Sequence, residues 1–165
     1  MKRIILILCA MAVTAMAYCQ TPVKKVYDET IDPNLQISEA VEKASSEGKY
    51  VVCQVGGNWC KWCLRLAAFI ENDVEVKDMV DNNFVYIHVN YNPRNPSEAS
   101  KGGVDEMLSR LGNPGRFGYP ALVVLGNKGE VLHIQDSSFL ESGEGYDKKK
   151  VMRFFKNWTP AAVGK

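Results

Sequence analysis

The sequence predicts an α/β domain, a mixed central sheet with helices on both faces, in the order β-α-β-α-β-β-α. Two apolar runs rich in β-branched and aromatic residues, Lys49–Val55 and Phe84–Val89, alternate with segments of helical spacing. That alternation is the mark of strands joined by helical crossovers. Ala121–Leu125 and Glu130–Gln135, joined by Gly126-Asn127-Lys128-Gly129, read as a β-hairpin. The last apolar segment, Asp147–Trp158, sets Val151, Phe154, Phe155 and Trp158 on one stripe, as a helix covering the sheet requires.

Each element has its own signal. Residues 20–34, with Pro22 and Pro33, read as an extended leader. Ser38 is placed to N-cap a short amphipathic helix whose apolar side is Ile37, Ala40, Val41 and Ala44, ended by Gly48. Lys49–Val55 is the first strand, Gly56-Gly57-Asn58 a turn, and Leu64–Ile70 the body of a helix free of Gly and Pro. Asp73 caps a further helical piece over Val74–Val80 after a break at Asn72. Residues 91–103 are polar and rich in Pro, Ser and Gly, hence a loop. Val104–Leu111 is a short helix stopped by Gly112-Asn113-Pro114-Gly115. A Gly/Ser-rich loop leads to the last helix, and 159–165 form a tail. The folded domain is thus expected over 35–158, with no internal repeat.

Residues 1–17 read as a signal peptide. Lys2-Arg3 is the positive n-region, Ile4 to Val13 the apolar h-region, and Ala15-Met16-Ala17 a small-x-small cleavage site. Ala17-Tyr18-Cys19 allows cleavage as late as 19. Even counted through Ala17, the apolar run of roughly 14 residues falls short of the ~20 needed to span a bilayer. Membrane attachment would require an uncleaved signal or a lipidated Cys19, and bulky Tyr18 argues against the second. Export to the periplasm or cell envelope is the expectation. Removing 1–17 takes away two basic residues and no acidic ones, so 20 against 19 becomes 18 against 19, net −1. That balance gives no reason to expect nucleic acid as a partner. The remaining ~150 residues make one domain with one core. Once Cys9, and with late cleavage Cys19, are gone, Cys53, Cys60 and Cys63 remain, too few for a disulfide scaffold.

Trp59-Cys60-Lys61-Trp62-Cys63 carries the chemistry. It sits where a strand and turn give way to a helix, so Cys-x-x-Cys falls in the helix's first turn. Free amides there carry partial positive charge and favour a thiolate, the form that attacks disulfides. Cys63, three residues on, is one turn away and within reach of a disulfide with Cys60. Lys61 beside Cys60 adds modestly to the same effect.

The order of elements, with Trp-Cys-x-x-Cys after the first strand, resembles the thioredoxin superfamily. Within it, exported bacterial thioredoxin-like proteins and the C-terminal domain of the periplasmic disulfide-reductase transporter look most similar. Gly118-Tyr119-Pro120-Ala121-Leu122 resembles the family's Gly-x-Pro-Thr-Leu strand start, and Asn127–Val131 its hairpin turn. The resemblance implies a thiol–disulfide oxidoreductase acting on cysteine-containing proteins or peptides, with a redox partner and no cofactor. Cys60 would be the nucleophile and Cys63 the resolving cysteine. A cis Pro120 would pack on them, and the Tyr119 backbone would pair with the substrate. Flanking the thiols, Trp59 reads as part of the site floor, and Trp62 as exposed at the helix start, either a partner contact or incidental. Thioredoxins carry a buried Asp six positions before the first motif Cys, paired with a Lys on the next strand. Those positions hold Gln54 and, approximately, Tyr86 here, so no carboxylate stands by Cys63. Lys61-Trp62 also replaces the Gly-Pro of thioredoxins. The absence of a His between the cysteines leans the reading towards a reductase.

Other readings compete. Cys60 and Cys63 could form an inert structural disulfide, or half a zinc site completed by Cys53, His88 or His133, although neither His has ligand spacing. Leu64 in place of His rules out haem attachment. Cys53 reads as a buried apolar residue, and His88 and His133 as strand residues. A non-catalytic binding or chaperone module, making contacts through Trp62 and Tyr119, is the alternative from another class. The missing carboxylate favours it, and the intact cysteine pair opposes it.

Overall fold

The structure, a computed structural model, describes residues 25–164. The signal segment, Cys9, Cys19 and Pro22 lie outside these residues. The first helix, α1 (Pro33–Glu47), starts five residues earlier than Ser38. Asp32 is its N-cap, accepting from the Asn34 N–H, and Pro33 takes the first helical position, where a missing N–H costs nothing. That pair outweighs Ser38, which sits inside the helix with its hydroxyl donating back to Asn34 O at 3.0 Å. The leader therefore ends at 32. Gly48 closes α1 with φ 65°, a left-handed turn that glycine adopts without strain.

Strand β1 (Tyr50–Gly56) leads into α2 (Lys61–Asn72), and α3 (Val74–Asn83) follows at once. Asp73 ends α2 and caps α3, accepting from the Val76 N–H at 3.2 Å. Then come β2 (Phe84–Asn90), α4 (Val104–Arg110), β3 (Ala121–Leu125) and β4 (Val131–Asp136). The sheet order is β2-β1-β3-β4, with β1 parallel to β2 and antiparallel to β3, and β3 antiparallel to β4. The predicted mixed sheet is present.

Period-two alternation divides the core between the two faces. Val51, Cys53, Val55, Val123 and Leu125 pack with Ile37, Ala40 and Ala44 of α1 and Met107 of α4. Val52, Leu122 and Val124 pack with Leu66 and Ile70 of α2, Val76 and Val80 of α3, and Val151, Phe154 and Phe155 of α5 (Lys148–Asn157). Cys53 is buried and unpaired, as predicted.

Two segments differ from expectation. The loop before α5 holds a 3₁₀ turn, Ser137–Leu140, and a small hairpin of β5 (Glu141–Ser142) and β6 (Gly145–Tyr146). Buried Tyr146 anchors it, donating its hydroxyl to Trp62 O at 3.2 Å. The predicted tail contains α6 (Pro160–Val163), started by Thr159 as N-cap and Pro160 as first residue. No helix among the described residues is long and apolar enough to cross a membrane.

Candidate redox site around Cys60 and Cys63

The end of β1 delivers the chain to the N-terminus of α2, and Cys60 is the N-cap itself. Its sulfur accepts the Cys63 N–H at 3.1 Å. The two cysteines form a disulfide with Cα atoms 5.2 Å apart. Cys60 is 7% exposed and Cys63 0%, so Cys60 offers the sulfur an incoming group would reach first.

Gly56, the last residue of β1, is required by space. A Cβ there would lie 2.4 Å from Cys63 Sγ, closer than any real contact allows. Gly56→Ala is expected to push Cys63 away and destabilise the oxidised protein by about 1–3 kcal/mol, seen as a lower thermal midpoint. The midpoint loss should shrink after reduction, when the two sulfurs can part.

The structure corrects both tryptophan expectations. Trp59 is 48% exposed, not floor; its indole N–H donates to Tyr91 O at 3.0 Å, and its ring meets Tyr119 edge-on at 5.5 Å. Trp62 is half-buried, not exposed. Its ring abuts Tyr146 at 5.7 Å and the Arg65 guanidinium lies 4.7 Å above it. The reason is helical phase: Trp62 shares a face with Leu66, Phe69 and Ile70, which turns towards the sheet and β6. Lys61 is exposed at the first helical position.

Pro120 is buried behind a cis Tyr119–Pro120 bond at the start of β3. Tyr119 packs against the cysteine cluster and Tyr91, and burial pushes its phenol up to about 12. Gln54 is fully buried. Its Nε2 donates to Cys63 O at 2.9 Å and to Tyr27 Oη, and its Oε1 accepts from Tyr86 Oη at 2.6 Å. A neutral amide and a phenol thus bond to each other at the two positions the resemblance aligned with the thioredoxin ion pair. That resolves a buried polar pair with no charge to desolvate.

Tyr27 and Asn58 escaped the sequence reading. Tyr27 is 2% exposed and belongs to the same cluster as Cys60 and Cys63. Asn58 binds it from across the chain, through Tyr27 N and O. The one local hint was an aromatic residue in a segment otherwise read as extended leader.

His88, on β2, lies between Tyr27 and Tyr86, with ring centroids 5.2 and 5.4 Å away. Its Nε2 is buried without a partner, and burial lowers its pKa from 6.5 to about 4. Protons therefore bind the unfolded chain in preference as pH falls from 6.5 to about 4. Stability from His88 is complete above 6.5 and is lost across that window. Denaturation midpoints should fall accordingly, and His88→Gln should flatten this part of the profile. Asp73 and Asp147 act at lower pH, because Lys148 and the Lys150 N–H, respectively, hold them below the usual carboxylate range. His133 stacks on Trp158 at 4.4 Å. Among the described residues, no three His, Cys, Asp or Glu side chains gather in a way that could hold a metal ion.

The sequence model of the family Thioredox_DsbH, described as protein of unknown function, DUF255, matches residues 16–157. The chain belongs to the Thioredox_DsbH family. No curated protein matches it. The disulphide isomerase of Xylella fastidiosa Temecula1 is similar in structure, with TM-score 0.66 and 20% identity, covering 84% of this chain and 96% of that one. The C-terminal domain of Neisseria meningitidis DsbD in its oxidised form is also similar, with TM-score 0.50 and 21% identity, covering 78% and 97%. This Thioredox_DsbH chain therefore has a thioredoxin-like fold.

Proposed function

We propose that this protein is an exported thiol–disulfide oxidoreductase, acting as a reductase on protein or peptide disulfides. The observation that carries the reading is the Cys60–Cys63 pair at the N-terminus of α2, with Cys60 slightly exposed and Cys63 fully buried. In the reduced protein the Cys63 N–H and the helix N-terminus favour a thiolate at Cys60. That thiolate attacks a substrate disulfide: a Cys60–substrate bond forms, the substrate S–S bond breaks, and one substrate sulfur leaves as a thiolate. Cys63 sulfur then attacks Cys60 sulfur, closing the internal disulfide and releasing the second substrate thiolate. Two electrons pass from the pair to the substrate, and an external dithiol must restore them.

The Tyr119 backbone ahead of Pro120 is the proposed edge for an extended substrate, with Trp59 and Tyr91 beside it. Export rests on the Lys2-Arg3, Ile4–Val13 and Ala15-Met16-Ala17 pattern. The names of the two similar structures, a disulphide isomerase and a DsbD domain, agree with thiol chemistry. The test is to reduce the purified protein, add a disulfide-bonded peptide and follow both by mass. Peptide reduction matched by return of the Cys60–Cys63 disulfide supports the reading. An unchanged peptide with a pair that stays reduced refutes it and favours a binding module.

A further inference from the structure

The segment ahead of α1 is built into the cysteine site. Asn58, two residues before Cys60, accepts the backbone N–H groups of Val26 and Tyr27 at 3.1 and 3.2 Å, and donates to Tyr27 O at 2.8 Å. With both residues pinned, the Tyr27 ring turns inward against His88. Its hydroxyl arrives beside the buried cysteine. The point where a Gly56 Cβ would sit is 3.1 Å from Tyr27 Oη and 2.4 Å from Cys63 Sγ.

Hydrogen directions can be followed through this cluster. The Tyr86 hydroxyl donates to Gln54 Oε1, so the amide nitrogen faces the other way, towards Cys63 O and Tyr27 Oη. Tyr27 oxygen receives that hydrogen and keeps its own to give. The Cys63 sulfur lies in the same buried cluster as that hydroxyl.

We infer that Tyr27 is a positioning residue for the resolving step, donating its hydroxyl hydrogen to the Cys63 thiolate. The inference rests on the redox reading above. In that step Cys63 sulfur bonds to Cys60 sulfur, the Cys60–substrate bond breaks, and the proton that was on Cys63 ends on the departing substrate thiolate. A hydroxyl can accept S–H from the thiol and, by turning, donate O–H to the thiolate, without taking the proton. Burial raises the Tyr27 phenol well above its ordinary range, outweighing the lowering effect of the Gln54 hydrogen bond, so it remains a donor. The hydroxyl thus assists where no carboxylate is at hand.

Tyr27→Phe removes one oxygen and keeps the ring. The purified variant and parent are reduced, mixed with a disulfide-bonded peptide, acid-quenched at intervals and weighed. This separates formation of the mixed disulfide from its resolution. Formation at the parent rate with resolution slowed about tenfold is expected, the scale of one charge-assisted hydrogen bond. Asn58→Ala, which releases the segment without altering Tyr27 or either cysteine, should slow the same step. The double variant should add little. Resolution at the parent rate in folded Tyr27→Phe, or equal slowing of both steps, overturns the inference and leaves the redox reading standing. If Tyr27→Phe does not fold, Asn58→Ala decides alone: unslowed resolution overturns the inference. A parent protein that forms no mixed disulfide overturns both readings.

Discussion

Cys60→Ser is expected to abolish disulfide exchange, while Cys63→Ser should keep the first step and stall at the second. The asymmetry follows from burial. Cys60 caps α2 with its sulfur reachable from outside and bonded to the Cys63 N–H, whereas Cys63 is sealed beneath it. A serine hydroxyl is a far weaker nucleophile than a thiolate, so no attack begins without Cys60. Without Cys63, the mixed disulfide has no internal resolving group and should accumulate as covalent partners in the cell. These partners should disappear on reduction and be absent from the Cys60→Ser/Cys63→Ser double variant. A stable adduct on Cys60→Ser alone, through Cys63, would reverse the assigned roles.

Gln54→Leu should cost the most stability of the substitutions considered, on the order of 4 kcal/mol. The two side chains are close in volume, so little of this is cavity. The loss comes from hydrogen bonds: Tyr86 Oη loses its acceptor, and Tyr27 Oη and Cys63 O each lose a donor. Buried groups left without partners cost about 1–3 kcal/mol each. Urea denaturation would read the difference as a lower midpoint with an unchanged slope. Tyr86→Phe removes one of these bonds and leaves buried Gln54 Oε1 without a donor, so its cost should be about 1–3 kcal/mol, below that of Gln54→Leu. A Gln54→Leu protein as stable as the parent would mean that the amide network adds nothing to the fold.

Much of the architecture could be read from patterning, because burial on a sheet or helix face leaves a period in the chain. Val51, Cys53 and Val55 against Val52 and Gln54 shows the two faces of β1 directly. Asp73 as joint between two helices was equally legible, since capping is local. Ser38 misled because the stronger Asp32-Pro33 start lay in a segment read as extended. The cysteine pair and Pro120 were visible as motifs. The exchanged environments of Trp59 and Trp62 were not, because they depend on where β6 returns against α2. Tyr27 could not be found by any local rule. Its place is set by Asn58, 31 residues further along the chain. The network of Tyr27, Gln54, Tyr86 and Cys63 joins β1, β2, α2 and the segment ahead of α1, which only the completed fold brings together.

The reduction potential of the Cys60/Cys63 pair tests the central claim most directly. The purified protein is equilibrated in graded thiol–disulfide buffers, and its free thiols are alkylated and counted by mass. The reductase reading predicts a reversible two-electron transition near thioredoxin's roughly −270 mV. A midpoint closer to about −120 mV would make the protein a disulfide donor and contradict that direction. A pair that never cycles would contradict the redox function itself.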